Sequence, residues 1–343
     1  MSSPVVRSID VGFGQTKFVS RVLGTKIECQ QFASVALPSL IDPSKRSVLG
    51  GHRQTTHTYI ASMFYEVGPD IDLAGSGLRA DLPIDGYVES PEYLALVRGA
   101  LYFMPGIQRI DLLVVGLPVS VFARRKAQLE RLVVGEHDVG GRRITVAKAL
   151  AVAQPQGALV SFAEQQNLLK EIRKQETLII DCGTRTFDWL VARGLRLVSG
   201  RSDSVPIGMA NVHESICRVV AHEINEHYED REAVDLALRR IRPLTVYGRS
   251  VPIERFKPMI DAHATEAARA MLNSIGSTSG IEHVVLVGGG AFLFKRAVKA
   301  ALHQHRVHEL KEPQFVNVRG YQRAGMDRMG VTTEDGGDHE QAA

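Results

Sequence analysis

Ile9-Asp10-Val11-Gly12-Phe13-Gly14-Gln15-Thr16-Lys17 reads as an apolar strand that ends in aspartate, turns on two glycines and runs straight into a second strand. Glycine lets backbone N–H groups approach an anion with no Cβ in the way, and Thr16 and Lys17 add further donors, so such a turn suits a phosphate. The same device returns downstream. Thr177 to Asp181 is again an apolar strand ending in aspartate, followed by Cys182-Gly183-Thr184-Arg185-Thr186-Phe187-Asp188. A third strand, Ile281 to Val287, runs into Gly288-Gly289-Gly290-Ala291 and a helix expected over 292–303. One Asp-x-Gly turn is an ordinary turn, and a glycine triplet alone only permits close packing. The set of three argues for a nucleotide site, with the Asp10 and Asp181 carboxylates facing each other across it to orient the waters of a Mg²⁺ ion.

Around these turns the pattern alternates as α/β. The 343 residues suit two lobes rather than one core. With 44% hydrophobic and 23% charged residues, neither a disordered chain nor a membrane bundle fits. Lobe I is expected over 1–160, with a small inserted subdomain at about 30–105 where Pro38, Pro43, Gly50, Gly51, Pro69, Gly75, Gly77, Pro83 and Gly86 interrupt the pattern. Helices are expected over 93–103, 122–134 and 162–174, and buried strands over 110–116 and up to about 153. Lobe II is expected over 161–315 with a helical subdomain at 207–275, followed by a return to lobe I over 316–330 and a frayed acidic tail, 331–343.

Other chemistries fall away. A formal charge of +3, with no basic stripe interleaved with aromatics, predicts no direct nucleic-acid contact. Cys29, Cys182 and Cys217 are odd in number and far apart, which argues against a disulfide framework or a thiolate zinc site. His222 and His227 are five apart where a helical zinc motif needs four. Lys17 stands where a dinucleotide fingerprint needs its last glycine, and no Gly-Lys pair exists for a P-loop. Trp189 follows the second turn at an apolar position and is expected in the core. The longest apolar runs are too short to span a bilayer, and Arg7 and Asp10 interrupt any signal-peptide core, so the expectation is a cytoplasmic protein with no membrane contact.

In order and spacing these segments resemble the actin-like ATPase superfamily, over nearly the whole chain. Asp10 to Lys17 matches the first phosphate loop, Asp181 to Asp188 the second, and Val285 to Ala291 the adenosine motif. Gln154-Pro155-Gln156-Gly157-Ala158 lies where the first connecting helix begins, and Arg319 to Met326 resembles the second connecting segment. The opening nonapeptide is similar to the ParM/StbA group of plasmid-segregation actins. With Pro38-Ser39 and Val318-Arg319-Gly320-Tyr321-Gln322, the pattern looks nearest to the PRTRC system protein D branch.

The resemblance implies an actin-like (ribonuclease H-like) fold of two lobes with a central nucleotide cleft, binding ATP or ADP with Mg²⁺ held by Asp10 and Asp181. It implies slow ATP hydrolysis, assembly of the chain with itself into filaments, and engagement of plasmid DNA through a DNA-binding adaptor. Nucleotide contacts would come from Asp10, Gly12, Gly14, Gln15, Thr16, Lys17, Asp181, Gly183, Thr184, Arg185, Thr186, Gly288, Gly289, Gly290 and Ala291. The attacking water would be positioned by Gln154, or by Gln156 beyond the proline; a glutamine orients water by accepting one hydrogen bond and donating another. Either glutamine is also a plausible helix cap. A non-polymerising, ATP-gated interaction protein or a small-molecule kinase of the same fold is the alternative.

Overall fold

The computed structural model describes residues 3–43, 53–74 and 84–331. Its elements in chain order are β1 (Val6–Val11), β2 (Gln15–Leu23), β3 (Lys26–Ala33), β4 (Leu37–Ser39), β5 (Thr56–Ile60), β6 (Met63–Val67), α1 (Ile84–Tyr87), α2 (Pro91–Tyr102), β7 (Arg109–Ile110), β8 (Leu112–Leu117), α3 (Val119–Val133), β9 (Gly135–Val139), β10 (Arg142–Val146), β11 (Ala149–Ala153) and α4 (Gln154–Gln165). There follow β12 (Glu176–Cys182), β13 (Phe187–Arg193), β14 (Arg196–Leu197), β15 (Asp203–Val205), α5 (Met209–Ile224), α6 (Arg231–Arg240), β16 (Leu244–Val246), β17 (Arg249–Val251), α7 (Lys257–Ile275), β18 (Ile281–Val287), α8 (Ala291–Ala301), β19 (Val307–Glu309) and α9 (Val316–Met329). The chain divides into two compact units, residues 1–167 with 315–343, and residues 168–314.

The first unit is built on a sheet of order β11-β8-β1-β2-β3, in which β11, β8 and β1 are parallel and β1, β2 and β3 antiparallel. Every residue of β1 and β8 is buried, as a central strand covered on both faces must be. One face carries Ile9, Val115, Leu96 and Leu101; the other is covered by Val318, Tyr321 and Met326 of α9. Two smaller sheets, β4-β6-β5 and β7-β10-β9, belong to the same unit.

The second unit repeats the plan. Its sheet runs β14-β13-β12-β18-β19 with β15 on β13; β12 and β13 form an antiparallel hairpin, and β12, β18 and β19 are parallel. Leu178, Ile180, Trp189, Val284 and Leu286 pack against Ala264 and Met271 of α7 and Phe294 of α8. Trp189 is in the core, as its position in the strand suggested, and its indole donates to Ser274 Oγ over 3.3 Å. A second cluster joins α5, α6 and β16 through Val212, Ile216, Leu238, Leu244 and Val246, with Val251 of β17 packed against it.

Several local expectations differ from the structure. The helix expected over 162–174 is not one helix: α4 begins at Gln154 and ends at Gln165, Asn167 adopts a left-handed φ of 56°, and only a short 3₁₀ turn forms at Ile172–Lys174. Amphipathic spacing runs on across that break, but a residue in the left-handed region terminates an α-helix. The region expected to be mostly helical, 207–275, carries α5, α6 and α7, with the unforeseen β16–β17 hairpin between α6 and α7. Residues 30–33 belong to β3 of the main sheet rather than to an insertion. Of the inserted segment, Gly50, Gly51, Gly75, Gly77 and Pro83 lie outside the described residues, as does the tail from 332 onward.

Candidate nucleotide site

In the first unit, β1 and β2 pair so that Asp10 lies opposite Lys17 and Val11 opposite Thr16. The intervening turn closes through Gly12 N–H to the Gln15 carbonyl, 3.1 Å, and Gly14 is tied from outside by the N–H of Ser34, 3.0 Å. A Cβ on Gly12 would stand 3.1 Å from the Gln15 carbonyl, tighter than an ordinary contact. Phe13 stacks on Tyr87 with ring centroids 4.6 Å apart, which anchors the turn's outer side chain. Thr16 is fully buried and its hydroxyl lies 2.9 Å from Ser34 Oγ. Its side chain therefore ties the hairpin to the end of β3.

Asp10 is the centre of this half. It is 2% exposed, and Lys17 Nζ stands 3.6 Å from its Oδ2. Its other oxygen, Oδ1, accepts from the Nε2 of Gln154 over 2.9 Å. A carboxylate only accepts hydrogen bonds, so the amide of Gln154 has its nitrogen toward Asp10 and its Oε1 left to accept from another donor. Gln156 does something different. Its Oε1 accepts from the backbone N–H of Ala153 over 2.9 Å, half of a capping box at the start of α4, where Pro155 fits the first turn. The structure thus separates the two glutamines, Gln156 as helix cap and Gln154 as the side chain that reaches the carboxylate.

The placement of Gln154 is set by α9. The Tyr321 hydroxyl donates to the Gln154 carbonyl over 3.2 Å, Asn317 Oδ1 accepts from the Ala158 N–H over 3.1 Å, and Ser161 Oγ donates to the Val316 carbonyl over 2.8 Å. The two helices touch at glycines: a Cβ on Gly320 would overlap the Gly157 carbonyl, and one on Gly157 would overlap the Asn317 carbonyl and the Tyr321 ring. Tyr321 and Asn317 are supports that sequence reading missed. The signals at hand were the pair of glycines, three residues after Gln154 and one before Tyr321, and the placing of Tyr321 in the stretch that resembles the second connecting segment.

In the second unit the β12–β13 turn repeats the first: Gly183 N–H donates to the Thr186 carbonyl over 2.9 Å. Here the register sets Asp181 opposite Asp188, so an acid stands where the first hairpin has Lys17. Thr184 and Gly183 give their carbonyls to the start of α5, Ala210 N–H at 2.8 Å and Met209 N–H at 3.2 Å, which holds the turn against that helix. Thr186 is buried, while Arg185 is partly exposed. The third glycine turn packs directly on the second. Gly290 N–H donates to the Cys182 carbonyl over 2.8 Å, and a Cβ on Gly288, which has φ +92°, would overlap Asp181 Oδ1. The Gly289 carbonyl accepts from Arg239 at 3.0 Å, and Ala291 begins α8. Asp181, Gly183, Gly288 and Gly290 are therefore brought into one constellation. Burial and the neighbouring Asp181 and Asp188 hold the Cys182 thiol protonated, well above its ordinary range, as suits a core residue.

The donor set fits a hydrated Mg²⁺. Opposed carboxylates on adjacent strands repel unless a cation or hydrogen bonds offset them, and Mg²⁺ is typically held by one or two carboxylates with the rest of its shell supplied by water and phosphate. Asp181, at the turn end of β12 and beside Gly288, could do this, with Asp188 as its neighbour. Asp10 belongs to the other unit.

Known proteins sort with this geometry. Residues 8–157 match the family of actin-like proteins, N-terminal domain, and residues 179–300 match the archaeal actin homologue MreB-like family, C-terminal domain. Fold and both matches agree on the class: the chain has the actin-like fold, with an actin-like N-terminal match followed by an MreB-like C-terminal match. Within that fold, an archaeal actin homolog superposes with a TM-score of 0.77 at 22% identity, covering 94% of this chain and 99% of that one. The psk41 ParM protein gives 0.68 at 18% identity over 96% and 100% of the two chains. A subunit of a 15-stranded ParM filament from Clostridium botulinum gives 0.75 at 17% identity over 95% and 99%. The archaeal actin homolog has also been solved in complex with ADP. No curated protein matches the sequence. No helix among the described residues is long and apolar enough to cross a membrane.

Proposed function

We propose that this chain is an ATPase that binds ATP or ADP with Mg²⁺ through the three glycine turns, hydrolyses ATP slowly, and assembles with itself into nucleotide-dependent filaments serving plasmid or other DNA segregation. The observation that carries this reading is the hydrogen bond from Gln154 to Asp10, which leaves the glutamine oxygen as a water acceptor beside a carboxylate at the mouth of a glycine turn. Bound Mg²⁺ would neutralise charge on the phosphates. The protein's part is positional: Gly12, Gly14 and Gln15 offer backbone donors, Lys17 a cation, and Gln154 orients the attacking water. Phosphoryl transfer depends chiefly on such positioning and charge stabilisation, so no strong base is required.

Asp181 supports the metal waters, and Gly288 to Ala291 place a third backbone turn against it. The fold shared with a ParM filament subunit and with an ADP-bound actin homolog supports the reading. An adaptor of the DNA-binding kind would connect the filament to its cargo, the whole working in the cytoplasm and nearest in type to the PRTRC system protein D branch. Sedimentation and light scattering with ATP and Mg²⁺ test it. The expected outcome is assembly that appears with ATP, decays as ATP is consumed, and lasts longer in Gln154→Ala; a protein that hydrolyses ATP yet stays monomeric at every micromolar concentration is a gated interaction protein instead.

A further inference from the structure

Between α6 and α7 the second unit carries a two-stranded ribbon whose inner and outer sides differ sharply. Leu244 and Val246 are buried against Val234, Ala237 and Leu238 of α6. Outward, Thr245 and Ser250 stand directly opposite one another and are both exposed. The two-residue loop, Tyr247-Gly248, has positive φ at both positions, 46° and 76°, the type I′ geometry that normally calls for Asn-Gly. A tyrosine there is strained, and it is 72% exposed. Ile241, which joins α6 to the ribbon, is a β-branched residue at φ 49° and 78% exposed. Two large apolar side chains held out at costly backbone positions mark a surface kept for contact.

The charge of this segment is one-sided. Arg240, Arg242 and Arg249 are exposed, and none of them has an ion pair among the described residues, whereas Arg239 is held by Asp235 at 2.7 Å. No carboxylate occurs in the chain between Asp235 and Glu254. The near-neutral balance of the whole chain conceals this local excess.

We infer that the ribbon 244–251, with Arg240 and Arg242 at its base, is a sequence-independent binding surface for the phosphate backbone of double-stranded DNA. Arginines and a tyrosine tip are donors that phosphate oxygens accept from, and Arg249, opposite Val246, leaves the ribbon on the face away from Thr245 and Ser250. The surface would let an assembled chain hold its cargo directly, with site selection left to another protein. The inference stands apart from the nucleotide reading, because no residue of the glycine turns takes part.

The test is fluorescence anisotropy of the full chain, without nucleotide, on a labelled random-sequence duplex across salt concentrations. Wild type is expected to bind with a micromolar Kd at low salt and to weaken steeply as salt rises. Arg240→Gln/Arg242→Gln/Arg249→Gln should reduce the slope of log K against log salt by about 2.7, and Arg249→Gln alone by about 0.9, since each lost phosphate contact releases one counterion fewer. The single variant guards against misfolding of the triple one. Absence of binding by the wild type at low salt, or an unchanged slope in both variants, overturns the inference. So does competition by polyglutamate as effective as by unlabelled duplex, which would make the surface one for an acidic protein.

Discussion

The side-chain amide of Gln154 donates to Oδ1 of Asp10 across 2.9 Å, joining the first residue of α4 to the turn end of β1. Through this bond a helix terminus and a glycine turn far apart in the sequence become one arrangement. Because α4 is in turn fixed by Tyr321 and Asn317, the position of the candidate water-orienting oxygen is decided by packing of α9.

Gln154→Ala is expected to slow ATP turnover by about 10²-fold or more, the order of effect of removing one positioned group, while nucleotide affinity changes only slightly. Gln156→Ala should leave turnover near wild type and lower stability by about 1 kcal/mol, the usual worth of a cap. Steady-state phosphate release together with nucleotide titration separates them. A silent Gln154→Ala with a slow Gln156→Ala would reverse the two roles.

ATP with Mg²⁺ should raise the melting temperature, because a ligand that binds only the folded state at a hundred times its Kd stabilises it by about 2.7 kcal/mol. Asp181→Ala should lose the Mg²⁺-dependent part of that shift. Differential scanning fluorimetry with ATP, ADP and EDTA reads both effects, and the cleanest contrary result is no shift for wild type at millimolar nucleotide.

Gly320→Ala should destabilise the first unit by about 1 to 3 kcal/mol, because its Cβ meets the Gly157 backbone carbonyl, which cannot rotate away as a side chain would. Tyr321→Phe removes only the hydrogen bond to the Gln154 carbonyl and should cost about 1 kcal/mol. Urea unfolding followed by circular dichroism gives both values. Equal stability of Gly320→Ala and wild type would mean that the two helices separate freely.

Glu176, at the start of β12, accepts from Arg193 at 2.7 Å and from Arg201 at 2.8 Å, and these bonds hold its carboxyl below the usual carboxylate range. The sign follows from linkage: a depressed folded pKa contributes stability that is present above the unfolded value and disappears as pH falls through the folded one. Melting temperature should therefore fall on acidification below about pH 4.5, less steeply in Glu176→Gln than in wild type. Parallel acid limbs in the two proteins would remove Glu176 from the pH response.

The sequence by itself determined the glycine turns, the strands that feed them and the alternation of α and β. Those signals are local: an apolar run, an acid at its end and a glycine beyond it lie within ten residues, and a buried parallel strand such as β8 must be apolar throughout. Tertiary structure alone decided which glutamine reaches Asp10, that the Thr16 hydroxyl turns to Ser34, that Asp188 stands opposite Asp181, and that Arg240, Arg242 and Arg249 are exposed with no ion pair among the described residues. Gln154 and Gln156 have the same chemistry and sit on the same first turn, so nothing local distinguishes them. What distinguishes them is a carboxylate 144 residues away for one and a backbone N–H three residues away for the other, and partners at such separations are set by how sheets and helices pack.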